Sequence, residues 1–417
     1  MWLLWWTYPL KEPIEAAVNA VNFNKLWAFN GYVIEKVMAE DVGVQVKMRF
    51  DRRRKPCCVH CGRRCPVHGT GAGLARDLPV ADHTEVYVTY PLWQVYCKHC
   101  KLFSTARPPE VHPSRGATWR LLRHVSAWAS QCAATTVAAM FGISDSSVRR
   151  YDKDVLEADL PGPSLDGIEV LLVDEKSVRR RHGYVTVVLN GRSGELLFME
   201  EGKKKEVLGK FLAGLGPEQK ASIRAVCIDR NGAYKAAIEE HLPHAEIVHD
   251  LFHLMMNLNA AIDETRRAEW HKASAADKSV IKGSRYLLLG GRENLTDSAI
   301  DRLARLVSIN EPLTKAYVLK ESFRDIFRLG RSPNSARRSL IEWCEDAMAS
   351  GLARLAHFAK GIVRDLRHVI GYFKHHITSG PIESFNNQIA RVIHRACGMT
   401  DIDYLFLKMR AQSLQRI

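Results

Sequence analysis

The segment IEVLLVDEKSVRRRHGYVTVVLN, residues 168–190, determines our interpretation of the fold. Its apolar run, residues 170–173, has the length of a buried β-strand and is followed at once by Asp174 and Glu175. A basic turn and a second β-rich run come next. Two further short apolar runs also precede an acid: residues 225–228 lead into Asp229, and residues 247–248 lead into His249 and Asp250.

Carboxylates that meet at the ends of strands need a compensating positive charge. Burial disfavours their ionised form, and like charges raise each other's pKa. Divalent metal ions would remove this conflict. In the alternative interpretation, each Asp simply caps the turn or helix after its strand, as Asp often does. Because the pattern occurs three times, it favours a site that the acids share.

The composition indicates a multi-domain globular protein with a basic surface. The chain has 417 residues, 46% of them hydrophobic, and its formal net charge is +14. Such a charge fits a polyanionic partner, but many basic proteins bind none. No apolar run approaches the roughly 18 residues of a membrane span, which excludes membrane insertion. The start, MWLLWWTYPL, lacks the pattern of a secretory leader, so we expect a cytosolic protein with reduced cysteines.

Two CxxC pairs predict a structural zinc site with one Zn²⁺ ion. Cys58 and Cys61 form the first pair, Cys97 and Cys100 form the second, and a β-like run lies between them. Each CxxC turn places two sulfurs on one side of a metal, and four thiolates suit tetrahedral zinc. Free thiols are the alternative. Nearby side chains that could replace a ligand are Cys57, His60, Cys65, His68 and His99.

Basic residues around the cysteines are candidates for DNA-phosphate contacts, although they could equally form a solvated face. They follow a predicted β-hairpin, residues 32–39 and 42–50. The candidates for DNA binding in this module are Arg52, Arg53, Arg54, Arg63 and Arg64, and Arg76 and Lys98 add to its basic surface.

Residues 136–156 predict a helix-turn-helix. A first helix ends before Gly142, and Ser144 or Asp145 caps the second. In DNA-binding proteins of this type the outer face of the second helix enters the major groove, whereas a generic helical hairpin has no such role. The residues predicted on that face are Ser146, Ser147, Arg149, Arg150 and Lys153.

The remaining sequence predicts a mixed α/β domain that a helical region interrupts. Strands are expected at residues 169–173, 184–189, 196–199, 225–228 and 246–248, with helices at 204–212 and 233–241. Three antiparallel strands followed by alternating helices and strands is the order of a ribonuclease-H-like fold, and another mixed sheet is also compatible. Residues 254–372 are almost wholly helical. A last helix follows, with Glu383 in its first turn.

Taken together, these motifs resemble DDE transposases of the ISL3 group of bacterial insertion sequences. The matching segments, in the order of the family, are the hairpin and CxxC pairs, VDEKS, HGYVTVVLN, HDLFH, KGSRYLLL, AYVLKESFR and GPIESFNNQIARVIHRACGM. The resemblance implies a ribonuclease-H-like core whose catalytic acids are Asp174, Asp229 and Glu383, with a helical insertion between the second and third. Arg230, Asn231 and Ser384 depart from the family's pattern, and the Trp-rich start matches nothing in it.

The resemblance also implies phosphoryl transfer on double-stranded DNA. Asp174, Asp229 and Glu383 would hold two Mg²⁺ or Mn²⁺ ions. Supporting roles near the site fall to Asp250, His253 and Asn387. The expected partners are terminal inverted repeats, target DNA and further copies of the chain, in a dimer or larger assembly. We expect the protein in the bacterial cytoplasm, associated with the nucleoid.

The predicted fold class is therefore α+β and multi-domain. The predicted order is a Trp-rich segment (1–29), a zinc-ribbon-like β-rich DNA-binding module (30–110), a helix-turn-helix domain (111–160), the first part of the core (161–255), a helical insertion (256–374), and the last part of the core with the third acid (375–417). Two other functions compete: a DNA-binding regulator without catalysis, and a structure-selective nuclease on the same core.

Overall fold

A computed structural model describes residues 27–40, 43–80, 83–179, 183–330, 332–378, 380–396 and 398–414. The predicted Trp-rich segment lies almost wholly outside these ranges. The chain divides after Leu160 into two compact units. Each unit contains a mixed β-sheet together with helices. Within the described ranges, no helix is both long and apolar enough to cross a membrane.

The first unit contains a five-stranded mixed sheet. The strands β1 and β2 form the predicted antiparallel hairpin, β2 and β4 run parallel, and β3 and β5 both pair antiparallel with β4. Buried and exposed residues alternate along β2, so one face of the sheet packs on a core and the other faces solvent. The strands are β1 (Tyr32–Glu40), β2 (Gly43–Phe50), β3 (Val67–Arg76), β4 (Val86–Cys97) and β5 (Leu102–Ala106).

Strand β3 is not predicted from the sequence pattern. Its sequence, VHGTGAGLAR, is rich in Gly and mostly exposed, so it lacks the alternation and the β-branched residues that identify a strand. The strand forms because its backbone pairs with β4. A Cβ atom on Gly73 would come within 2.4 Å of the buried Tyr90 ring, so glycine allows this ring to pack across β3.

Three helices complete the first unit: α1 (Trp119–Ala129), α2 (Ala134–Phe141) and α3 (Asp145–Asp159). Gly142, at φ 60°, ends α2 in the left-handed conformation that glycine favours. The side chain of Ser144 then caps α3 by accepting a hydrogen bond from the N–H group of Ser147. Of the two caps that the sequence allows, the structure therefore uses Ser144.

A buried carboxylate joins the sheet of the first unit to α1. Asp77 directly follows β3 and is fully buried. It accepts hydrogen bonds from Trp27 Nε1 (2.8 Å), Thr118 Oγ1 (2.6 Å) and Arg120 Nε (2.7 Å). Thr118 is itself the N-cap of α1. Because a buried charge without partners is costly, this network fixes the start of α1 on the sheet.

The second unit is built on another five-stranded sheet, in the order β10-β9-β6-β7-β8. The strands β6, β7 and β8 are antiparallel neighbours, whereas β9 and β10 run parallel to β6, which is the central strand. Its strands and connecting helices are β6 (Val170–Arg179), β7 (Gly183–Asn190), β8 (Leu196–Glu201), α4 (Lys205–Gly214), α5 (Pro217–Ser222), β9 (Ala225–Ile228), α6 (Gly232–His241) and β10 (Glu246–His249).

Strand β6 is longer than the predicted strand, which ends before Asp174. It continues to Arg179 because residues 174–179 go on pairing with β7. Its pairing with β9 stops at Val173. Asp174 therefore lies at the point where β6 loses one of its two neighbours, rather than at the end of the strand.

Helices make up the rest of the second unit. Side chains of Ser274, Thr296, Asn310 and Ser332 cap four of them by accepting backbone N–H groups. The helices are α7 (Leu251–Lys272), α8 (Ala275–Ile281), α9 (Arg285–Leu289), α10 (Asp297–Ile309), α11 (Glu311–Arg328), α12 (Pro333–Ala349), α13 (Ala353–Arg364), α14 (Leu366–His375), α15 (Gly380–Arg395) and α16 (Ile402–Leu414), with a 3-10 turn at Arg292–Asn294.

The substitution Asp77→Ala tests the junction in the first unit. It leaves Arg120 and two neutral donors without their acceptor, so we expect the free energy of unfolding to fall by about 3 kcal/mol. Urea unfolding measures this change. The control, Asp159→Ala, removes an exposed pair with Arg123 and should cost less than about 1 kcal/mol. Equal effects of the two substitutions would contradict the role of Asp77.

Candidate active site

Three acids meet at one edge of the second sheet, which we call the acidic edge. The strands β6, β9 and β10 run parallel, and Val173 pairs with Ile228, which in turn pairs with His249. Adjacent strands lie about 4.8 Å apart, so residues that follow paired positions start side by side. The residues that follow these three paired positions are Asp174, Asp229 and Asp250.

Asp174 is half-buried on the central strand. Its carboxylate accepts hydrogen bonds from the N–H group of Glu175 (2.8 Å) and from Asn386 Nδ2 (2.7 Å). Burial raises the pKa of Asp174 despite the Glu175 hydrogen bond, and the negative charge of Asp229 adds to the rise. Ionised Asp174 is therefore stabilised by any positive charge that binds at this edge.

Asp250 and His253 form an ion pair beside these acids. Asp250 is buried and caps α7, where Oδ1 accepts the N–H group of Phe252 (3.0 Å) and Oδ2 accepts His253 Nδ1–H (2.7 Å). The bond to Asp250 raises the pKa of His253 to about 9 despite partial burial, and the charge of Asp229 acts in the same direction. At neutral pH His253 is therefore an imidazolium that offsets part of the negative charge.

Helix α15, whose first turn contains Glu383, packs beside the central strand. The helix packs against β6, and the buried Asn386 donates its hydrogen bond to Asp174. Glu383 lies one turn before Asn386 on the same side of the helix and is exposed. Among the described residues, the carboxylates of Asp174, Asp229 and Glu383 do not form a group whose ligand atoms all lie within 4.8 Å of one another.

Asn386 is a site residue that the sequence pattern misses. The pattern places Asn386 with Glu383 and Asn387 on a polar face of α15, and it names only Asn387 as a supporting residue. In the structure Asn386 is only 6% exposed and contacts Asp174, whereas Asn387 is exposed. The buried face of α15 is wider than its apolar stripe, because it also includes Gln388. The spacing of three between Glu383 and Asn386 is the signal that could have identified this residue.

The four cysteines of the two CxxC pairs meet in the first unit. Their sulfurs all lie within 4.8 Å of one another, with 3.6 Å between Cys61 and Cys97 and 4.0 Å between Cys58 and Cys100. Tetrahedral zinc with Zn–S bonds of about 2.3 Å requires sulfurs about 3.8 Å apart. The N–H group of Cys100 donates to the Cys97 sulfur and lowers the pKa of that thiol to about 6, which favours the thiolate. The cluster could therefore hold a zinc ion.

Other candidate zinc ligands have different contacts. The thiol of Cys57 donates to the carbonyl of Lys55 (3.4 Å), and the thiol of Cys65 donates to the carbonyl of Arg63 (3.4 Å). The ring of His68 packs edge-on against Phe103, with 4.9 Å between ring centroids. The structure thus gathers the two CxxC pairs rather than a mixed set of ligands.

Comparison with known proteins identifies the family of the chain. The sequence model for transposases of the ISL3 type matches residues 171–409. The chain is 31% identical over 392 residues to the transposase for insertion sequence element IS1001 of Bordetella parapertussis, covering 93% of this chain and 96% of that protein. It belongs to the ISL3 family of DDE transposases. The transposase for insertion sequence element IS1557 of Mycobacterium tuberculosis is 26% identical over 366 residues, covering 82% of both chains.

Most residues that we predict to bind DNA in this transposase are accessible to solvent. Arg54 is the half-buried one of its cluster, because its guanidinium lies 4.4 Å from the centroid of the Tyr32 ring. Arg76 turns inward and donates to the carbonyls of Thr84 and Phe141, so it braces α2 instead of adding to the basic surface. Exposed residues are Arg52, Arg53, Arg63, Arg64, Ser146 and Arg150, and half-buried residues are Ser147, Arg149 and Lys153.

The ion pair of His253 has a measurable pH dependence. In metal-free transposase we expect the His253 ring signals in NMR to titrate near pH 9, and to titrate nearer the ordinary value of about 6.5 after Asp250→Asn. A raised pKa in the folded state stabilises the protein fully below about pH 6.5, and this stabilisation is lost as the pH rises through about 9. Wild-type protein should therefore lose more stability across this interval than His253→Gln. Titration of wild-type His253 near pH 6.5 would contradict the assignment.

Proposed function

We propose that this transposase binds the terminal inverted repeats of its insertion sequence and catalyses metal-dependent DNA cleavage and strand transfer. The register of the parallel strands carries the proposal, because it sets Asp174 and Asp229 side by side. Helix α15 packs against the same strand and carries Glu383 one turn from Asn386. We assign these three acids as the catalytic residues.

The arrangement of the second unit supports a ribonuclease-H-like core. Its central strand has antiparallel neighbours on one side and parallel neighbours on the other, and Asp174 lies on that strand. The helices between the second and third acids form the insertion. We propose the domain boundaries 161–255, 256–374 and 375–417 for this unit, and 30–110 and 111–160 for the DNA-binding modules.

The residues of the acidic edge fit divalent cations. Asp174, Asp229 and Glu383 would hold them, since carboxylate oxygens suit Mg²⁺ and Mn²⁺. A further oxygen is available beside Asp174: Oδ1 of Asn386 is buried and has no hydrogen-bond partner in the described part of the chain. When bound, such ions activate an attacking water or DNA 3′-hydroxyl and stabilise the leaving oxygen of the phosphodiester.

Other residues of the site orient these ligands. Asn386 holds one oxygen of Asp174 through its amide N–H, and the N–H group of Glu175 holds the other. Asp250 fixes the ring of His253 and keeps it protonated. The imidazolium is then a hydrogen-bond donor beside the acids, suited to a phosphate oxygen of the DNA backbone.

The first unit is proposed to bind the inverted repeats. Zinc at the four cysteines would stabilise the β-rich module, whose exposed arginines suit the phosphate backbone. The outer face of α3 would supply base contacts in the major groove. Because strand transfer joins two transposon ends, we propose that at least two copies of the chain assemble on DNA.

The substitution Asp174→Asn tests the catalytic assignment. Without this carboxylate, metal-dependent cleavage and joining of transposon ends should fall at least a thousandfold, roughly the full loss of an essential group. Binding of the ends, measured by gel shift, should hardly change. Glu169→Gln is the control, since the Glu169 side chain forms a surface pair with Arg192 just before β6. Strand transfer that persists in Asp174→Asn would refute the assignment.

The same assay separates the competing functions. Wild-type protein is incubated with Mg²⁺ and either inverted-repeat DNA or a scrambled duplex. A transposase of the proposed type cuts and joins the first substrate only. A regulator binds DNA without metal-stimulated nicking, and a structure-selective nuclease cuts branched DNA whatever the end sequence.

Zinc content tests the cysteine cluster. Purified protein should contain one zinc ion per chain by elemental analysis, and Cys97→Ser should lose it, because this thiol lies within the four-sulfur group. The matched control is Cys57→Ser, whose thiol contacts a carbonyl outside the group. If Cys57→Ser loses zinc and Cys97→Ser retains it, the ligand set is wrong.

A further inference from the structure

Arg230 directly follows Asp229, but its side chain points away from the acidic edge into the helical insertion. Its Nε donates to Asp365 Oδ2 (3.0 Å), and its Nη2 donates to the carbonyl oxygen of Gly361 (2.8 Å). Gly361 lies in α13, and Asp365 stands between α13 and α14. Arg230 therefore connects the end of β9 to helices that are more than a hundred residues later in the sequence.

The backbone of Arg230 also holds the second acid. Its N–H group donates to Asp229 Oδ1 (2.5 Å). The orientation of this N–H group follows from the position of the Arg230 main chain, and the side chain anchors that main chain to the insertion. The carboxylate of Asp229 is thus linked, through a single residue, to Asp365 and Gly361.

Two further features indicate that the contact of Arg230 with Asp365 and Gly361 is part of the packed structure rather than a chance surface pair. The side chains of Arg230 and Asp365 are only 19% and 12% exposed, so water screens their attraction weakly. A Cβ atom on Gly361 would lie 2.7 Å from Arg230 Nη2, so glycine at this position lets the guanidinium lie directly against the helix. The carboxylate of Asp365 and the space at Gly361 therefore both suit the Arg230 side chain.

The carboxylate of Asp365 reaches the neighbouring strand as well. Its Oδ2 atom lies 3.9 Å from Nε2 of the buried His249, the residue before Asp250. The ring of His249 packs edge-on against His368 of α14, with 5.2 Å between ring centroids. The ends of β9 and β10 are therefore both held at the junction of α13 and α14.

We propose that Arg230 is a positioning residue through which the helical insertion holds the Asp229 carboxylate in place for divalent cations. The inference rests on the proposed role of Asp229 as a metal ligand. In this chain the insertion supports the metal ligands as well as separating the second and third acids along the sequence.

The test compares Arg230→Lys and Gly361→Ala with the wild-type full chain. Lysine keeps the charge but lacks the two-point fork of the guanidinium, and alanine displaces the guanidinium without changing any charge. Manganese affinity is measured on the DNA-free protein by electron paramagnetic resonance of free Mn²⁺. We expect each variant to bind Mn²⁺ about tenfold more weakly, the usual effect of losing a partner that orients a ligand.

Cleavage assays and unfolding curves complete the test. The Mn²⁺ concentration for half-maximal cleavage should rise by the same factor, whereas the rate at saturating Mn²⁺ and the binding of transposon ends should stay close to wild type. The control, Arg354→Lys, alters an exposed pair between α13 and Glu264 of α7 and should leave Mn²⁺ affinity unchanged. Gly361→Ala retains the ion-pairing groups and serves as the second probe if Arg230→Lys does not fold.

The outcomes distinguish a failure of the proposed metal site from a failure of the positioning role of Arg230. If Asp229→Asn binds Mn²⁺ and cleaves DNA like the wild type, the proposed metal site itself fails. If Asp229→Asn is inactive while Arg230→Lys and Gly361→Ala bind Mn²⁺ as tightly as the wild type, only the positioning role fails. A lower melting temperature with unchanged Mn²⁺ affinity would mean that Arg230 is merely structural, and would likewise overturn the inference.

Discussion

Repulsion between carboxylates at one edge of a sheet is the constraint on which the second unit depends. Parallel pairing of β6, β9 and β10 brings Asp174, Asp229 and Asp250 to neighbouring positions, and burial raises the pKa of Asp174. Hydrogen-bond donors and the imidazolium of His253 offset part of this negative charge. In the proposed function, divalent cations supply the rest of the positive charge. The same carboxylates whose repulsion destabilises the edge then bind the ions that catalyse the reaction.

The helices of the proposed insertion pack onto the sheet of the second unit. Helix α14 lies against β10, where a Cβ atom on Gly371 would come within 3.0 Å of Val248. A second glycine, Gly361, leaves space for Arg230. Because small residues at these two points allow close approach, the insertion can hold the loops that carry the acids. A loosely attached domain could not transmit position in this way.

The first unit depends on a different constraint, the stability of a small sheet. Its sheet is small, and its β3 strand is too rich in glycine to form without a partner. Two polar clusters compensate: the buried Asp77 joins the sheet to α1, and the four cysteines join the loop before β3 to the end of β4. A bound zinc ion would add directly to the stability of this unit, because its ligands come from segments that are distant in sequence.

The sequence by itself determined the features that depend on neighbours within a few residues. Apolar runs before acids located β6, β9 and β10, the CxxC spacing paired the cysteines, and Gly142 and Ser144 marked the turn before α3. Only the tertiary structure decided that Asn386 rather than Asn387 meets Asp174, 212 residues away, and that Arg230 pairs with Asp365, 135 residues away. It also decided the strand β3 and the continuation of β6 beyond Asp174. These features depend on partners that local propensity cannot specify, because one position along a helix turns a side chain by about 100° and only the packed neighbours select the face.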